Sequence, residues 1–195
     1  RSHSGRRHGV TARLDEDVVQ HVNDVGTKLW TGLAYRFTSA RRDPLSGEGS
    51  YKFGGRWNPR GVFAAIYLAV PRSTAMLEFQ RRAEAASMDP LDMLRAGYVL
   101  HTIQLNELPV LDLHDEPALA AVGLGFEDIA SDDWTACQSV GHAAWFLEFG
   151  GVYAPSAAGH GFVLTAFESR VEPGQLKVTG STLIDEQTYR ADLSS

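Results

Sequence analysis

The chain of 195 residues holds one cysteine, Cys137. An internal disulfide framework and a multi-cysteine zinc site are both excluded, and this usage fits a reducing cytoplasm. No apolar run approaches the roughly 18 residues of a membrane helix, and no signal-peptide pattern is visible. Positive charge is in deficit: 18 Lys and Arg stand against 24 Asp and Glu, for a net charge of −6. Bulk composition therefore offers no basic surface for nucleic acid. It still permits a locally positive pocket for a small anion. His101, His114, His142 and His160 lack the close spacing that would place two ligands on one helix face, so no metal site is expected. Internal repeats, low-complexity segments and linkers are missing too.

What is present suits one soluble domain. Hydrophobic residues make up 44% and charged residues 22% of the chain, ordinary values for a globular protein with a full core. The polar opening Arg1–His8 reads as a tag remnant or loose tail. Residues 1–13 are expected to stand outside a single domain spanning 14–195. Leu14, Val18, Val22 and Val25 recur at helical spacing, with Gly26 to stop the helix. Leu29–Phe37 reads as a strand, and 38–52 as a long polar connection of the kind that is often functional. The run Val62–Val70 has strand length. Ser73 is the expected N-cap of a helix over 74–87, followed by a short helix at 91–96. Tyr98–Leu105 alternates as a strand does, and Val110–Leu113 reads as a second, shorter one. A helical turn at 117–122 precedes a long helix over 132–149, ended by Gly150 and Gly151. Strands follow at 151–154, 161–167 and 176–179. Intermixed strands and helices define a mixed α+β class.

The chain is organised around Phe53-Gly54-Gly55-Arg56-Trp57-Asn58-Pro59-Arg60-Gly61. Glycines let a backbone approach a ligand, and a guanidinium pairs with phosphate or carboxylate through parallel hydrogen bonds. Arg56 here and Arg36 at the end of the first strand both sit where an apolar strand meets a polar loop. On spacing alone each reads equally as a surface arginine or as the partner of a core-edge carboxylate. The stretch is neither a P-loop nor a dinucleotide fingerprint, and a tight turn with Trp57 packed beneath it accounts for it as well. Glu78 lies between Leu77 and Phe79 on an apolar part of its helix. That position suits either a functional carboxylate or a solvated helix edge. Cys137 reads as a buried small side chain.

The ordered series Tyr35-Arg36-Phe37, Ser46–Gly49, Gly54–Pro59, Ile66–Ala69 and Leu77-Glu78 resembles the RES domain, the toxin half of RES–Xre toxin–antitoxin pairs. The likeness runs from about Leu29 to Tyr189. It implies a fold similar to ADP-ribosyltransferases and a toxin that destroys NAD by cleaving its nicotinamide–ribose bond. Phosphorolysis with inorganic phosphate is the expected route. NAD hydrolysis, protein ADP-ribosylation and a non-catalytic partner-binding module are the alternatives. The resemblance assigns Glu78 to the ribose, Arg36 and Arg56 to the pyrophosphate, and Tyr67 to the neighbourhood of the nicotinamide ribose. Ser156 and Thr135 are its candidates for the family hydroxyl. Phe37 stands where a tyrosine is expected, beside the nucleotide. Arg41, Arg42 or Arg60 would supply the acceptor's anion site. The implied partner is an Xre-like helix-turn-helix antitoxin covering the NAD cleft, in a higher-order toxin–antitoxin complex, with operator binding left to the antitoxin.

Overall fold

The computed structural model describes residues 13–194; the expected N-terminal tail lies almost wholly outside the described residues. In chain order the elements are α1 (Glu16–Val25), β1 (Lys28–Ser39), α2 (Glu48–Phe53), β2 (Ala65–Val70), α3 (Arg72–Ala85), α4 (Pro90–Leu94) and β3 (Tyr98–Asp112). Then come α5 (Glu116–Ala121), α6 (Phe126–Ala130), α7 (Thr135–Phe146), β4 (Gly151–Pro155), β5 (Phe162–Phe167), β6 (Leu176–Leu183) and α8 (Glu186–Leu193). The mixed α+β class holds. Among the described residues no helix is long and apolar enough to cross a membrane.

The six strands are ordered β1-β2-β5-β4-β3-β6, and β1 pairs with β3 as well. Five strands thus close into a ring, with β6 attached outside it along β3. Closure between β1 and β2 rests on one registered pair, Tyr35 opposite Ala69. Alternation does the sorting. Ile66 and Leu68 of β2, Ile103 and Leu105 of β3, and Leu164 and Ala166 of β5 form one buried cluster with Ala34. The opposite faces carry Ala65, Val152, Ala154 and Phe167, which pack with Val22 of α1, Leu119 of α5 and Val140 of α7. Ala69 and Leu100 instead meet Met76, Phe79 and Ala83 of α3, Met93 of α4 and Tyr189 of α8.

Several expected elements change. The two strands at 98–105 and 110–113 are one strand of 15 residues. The backbone N–H of Asn106 bonds to Gln175 O and that of Glu107 to Thr31 Oγ1, so the strand carries on through its polar middle although Glu107 turns to φ 48° and Pro109 has no N–H to give. The polar connection at 38–52 contains the short helix α2. Ser73 does not cap α3; the helix begins at Arg72, two residues earlier than expected, and buries Ser73 in its first turn. The long helix is shorter at both ends, because Asp132 and Asp133 stay in the preceding loop and Glu148 turns to φ 64° after Phe146. Gly151 does not end that helix. A Cβ there would lie 2.2 Å from Thr165 O, so this glycine serves the close approach of β4 to β5.

Candidate active site

The site is built on the turn between α2 and β2. Gly55 and Asn58 face each other across it through reciprocal backbone hydrogen bonds. Tyr67, one strand away, puts its hydroxyl into this turn: it accepts the Trp57 N–H at 2.9 Å and donates to Asn58 Oδ1 at 2.8 Å. Asn58 in turn donates to Ser50 O and Phe63 O. Gln138 of α7 donates to Gly55 O from the other side. Gly55 is obligatory here, since a Cβ would stand 2.3 Å from the Tyr67 hydroxyl. Trp57 is 1% exposed and anchors the turn in the core, as its reading as a packing residue implied. Burial pushes the Tyr67 phenol well above its ordinary pKa, so the group is a neutral hydrogen-bonding strut. Tyr67→Phe should strand the Trp57 N–H and the Asn58 carbonyl, lowering stability by about 1–3 kcal/mol. A denaturant midpoint equal to wild type would show that the turn does not need the hydroxyl.

This frame holds Arg56. Its Nη1 donates to Asp128 O at 3.2 Å and Ser131 O at 2.9 Å, and its guanidinium lies 5.7 Å from the Trp134 ring centroid. Asp128 O also accepts a long contact from the Cys137 thiol. Burial raises that thiol to a pKa of about 11, so at neutral pH it is no thiolate nucleophile.

Glu78, half-buried on α3, accepts a 2.5 Å hydrogen bond from Ser156 Oγ through its Oε1. Ser156 follows β4, is 5% exposed, and accepts the Ala158 N–H at 3.0 Å. The serine hydroxyl is thus fixed on both sides, and it fixes the carboxylate. A cavity of about 290 Å³ opens beside it, lined by Phe126, Ile129 and Ala130 on one wall and by Pro155, Ser156 and Gly161 on the other. The Arg56-binding carbonyls flank Ile129 and Ala130 in sequence, so this wall joins the arginine to the Glu78–Ser156 pair.

The remaining candidates, Arg36, Phe37 and Thr135, stand on β1 and α7. Arg36 spends Nη1 on Pro44 O at 2.7 Å and Nη2 on Ser46 O at 3.0 Å, pinning the loop before α2. Burial lowers its pKa to about 10, with Asp43 and Glu168 opposing and Arg42 and Arg82 adding to the shift. It remains a cation at neutral pH. Arg82, one turn beyond Glu78 on α3, places its guanidinium 5.9 Å from the ring centroid of Phe37. Phe37 itself packs edge-on against Phe79. Thr135 opens α7 at the surface and donates to Asp133 Oδ1. Among the described residues no group of three or more His, Cys, Asp or Glu side chains could hold a metal ion. Sequence reasoning gave no role to Gln138, Trp134 or the carbonyls of 128 and 131. Backbone acceptors carry no residue-type signal, and Trp134 and Gln138 fell within the helix expected over 132–149.

A half-buried carboxylate bonded to a buried serine, a glycine turn presenting an arginine and a ring of five strands define a class. The RES domain model matches residues 33–190, and the chain belongs to that family. It is similar to the NAD(+) phosphorylase MbcT of Mycobacterium bovis and of Mycobacterium tuberculosis, each 50% identical over 177 residues, or 91% of this chain and 95% of the relative. A probable NAD(+) phosphorylase of M. tuberculosis is 34% identical over 134 residues, 68% of this chain and 59% of that protein. The crystal structure of the M. tuberculosis MbcT–MbcA toxin–antitoxin complex aligns with a TM-score of 0.88 and 49% identity, covering 94% of this chain and all of that one.

Proposed function

We propose that this protein cleaves the nicotinamide–ribose bond of NAD, with inorganic phosphate as acceptor, and so depletes NAD as the toxin of a toxin–antitoxin pair. The observation that carries this reading is Glu78 hydrogen-bonded to Ser156, a residue of the cavity wall, in a chain half identical to an NAD(+) phosphorylase over almost its whole length. On this reading the fold is of the ADP-ribosyltransferase kind and the chemistry is transfer of a glycosyl group.

Nicotinamide in NAD is already cationic, so it leaves as a neutral base without a general acid. The demand falls on the ribose, which gains positive charge as the bond breaks. Glu78 meets that demand as a fixed anion. Ser156 holds one carboxylate oxygen, and little reorganisation is needed when the charge develops. Arg56 and Arg36 hold the pyrophosphate. Each guanidinium has five N–H donors, more than its two carbonyl partners consume. Tyr67 acts through the turn, by fixing where Arg56 stands. Phe37 and Thr135 border the nucleotide.

The partner is an antitoxin, Xre-like with a helix-turn-helix, that covers the cleft with a C-terminal segment. The pair works in the cytoplasm, and operator binding belongs to the antitoxin. The test is product analysis on labelled NAD with and without phosphate. ADP-ribose-1″-phosphate formed only with phosphate is the expected result. Free ADP-ribose at equal rates in both would replace phosphorolysis by hydrolysis, and label on protein would replace it by ADP-ribosylation. Absence of nicotinamide release under every condition would remove the enzyme reading.

A further inference from the structure

Phosphorolysis needs a second anion site beside the ribose, and the structure narrows which residue supplies it. Arg81 stands three residues beyond Glu78 on α3, and residues at that spacing are neighbours on one helix face. Its Nη2 lies 3.9 Å from Asp132 Oδ1, the limit of an ion pair. That aspartate is fully exposed and Arg81 itself is 36% exposed, so the contact is loose and water-screened. Asp132 closes the segment that begins at Asp128, whose carbonyl, like that of Ser131, receives Arg56. Two guanidiniums from separate elements therefore converge on one five-residue segment, whose Ile129 and Ala130 line the cavity that Ser156 also lines.

The two arginines differ in how firmly they are held. Arg56 has two short carbonyl bonds and an aromatic neighbour, whereas Arg81 has one distant, solvated carboxylate. A firmly held cation suits the pyrophosphate, whose place need not change while NAD becomes product. A loosely held one suits a small acceptor that enters separately and ends up bonded to the ribose. Arg82, the other arginine one turn from Glu78, leans instead on Phe37.

Resting on the NAD-phosphorolysis reading, we propose that Arg81 binds the acceptor phosphate and that Asp132 occupies it when phosphate is away. A phosphate oxygen gives its electron pair to ribose C1″. The electron pair of the C1″–nitrogen bond leaves with nicotinamide and neutralises the pyridinium ring. The acceptor's remaining acidic proton passes to water.

Initial rates measured against phosphate at saturating NAD, and against NAD at saturating phosphate, test this. Arg81→Gln should raise the KM for phosphate about tenfold or more, while the KM for NAD moves less than about twofold. Arg81→Lys should fall between, keeping charge without the fork. Asp132→Asn, at an exposed loop position where folding is not at stake, should lower the KM for phosphate. Unchanged phosphate KM in Arg81→Gln, or in Asp132→Asn, overturns the assignment while leaving phosphorolysis intact. A wild-type protein whose NAD cleavage ignores phosphate overturns the parent reading instead.

Discussion

Glu78→Gln is expected to slow NAD cleavage by about 10²–10³-fold, the cost typical of removing one preorganised electrostatic contact to a transition state. The substitution keeps the shape of the side chain and an oxygen that accepts the Ser156 hydroxyl proton, so the bond at 2.5 Å has a neutral successor. Only the charge is lost. That charge matters little to the ground state, where the positive charge sits on the nicotinamide ring, and most when it moves to the ribose. Hence kcat should fall and the KM for NAD should change little. Thermal unfolding of the variant is expected to follow the wild type closely, which separates lost chemistry from lost structure. A kcat equal to wild type in a folded Glu78→Gln protein would end the assignment of Glu78.

Gly141→Ala should destabilise the protein by about 1–3 kcal/mol or more, the range of an overpacked core. Intrinsic preference points the other way, because alanine is favoured over glycine within a helix by about 1 kcal/mol. Geometry decides between them. A Cβ at 141 would stand 1.9 Å from Trp57 O and 2.7 Å from Trp57 C. Both are backbone atoms of the turn that presents Arg56, and neither can rotate away. Helix α7 or the turn has to move, and the turn is tied by Tyr67, Asn58 and Gln138. A lower urea midpoint together with a raised KM for NAD is the expected pair of results. A higher midpoint would show that propensity wins and that the turn yields freely.

Much of this arrangement was legible in the chain, for reasons that differ by residue. Strand β2 and helix α3 announce themselves by apolar content and length. Glu78 was visible as a carboxylate between core positions. Its bond to Ser156 was not, because the two are 78 residues apart and no local pattern encodes a contact that the sheet alone creates. Arg56 was picked out by its glycine neighbours, yet its partners are backbone carbonyls of residues 128 and 131, which a residue of any type would supply. Helix α6, which makes the cavity wall, has five residues and no room for a period to show. Helix α8 hid for another reason: its hydrophobic content is low, and only the Asp185 cap, bonded to the Thr188 N–H, marks its start. The glycines at 150 and 151 were misread as helix terminators because a steric requirement from a distant strand leaves the same letters as a local one.

The separation of Glu78 from Ser156 also sets a timetable. A ribosome adds about 5–20 residues per second. The carboxylate is therefore made some 4–16 seconds before the hydroxyl that positions it, taking those 78 residues at that pace. Strand β3, which carries one flank of the ring, waits still longer for β6 to cover it. A half-made chain has its anion but neither the serine nor the wall beside it. On the proposed reading, any hazard to the cell that makes this protein begins only once Ser156 and the wall beside it have followed Glu78 out of the ribosome. An inhibitor already at hand would meet the finished fold.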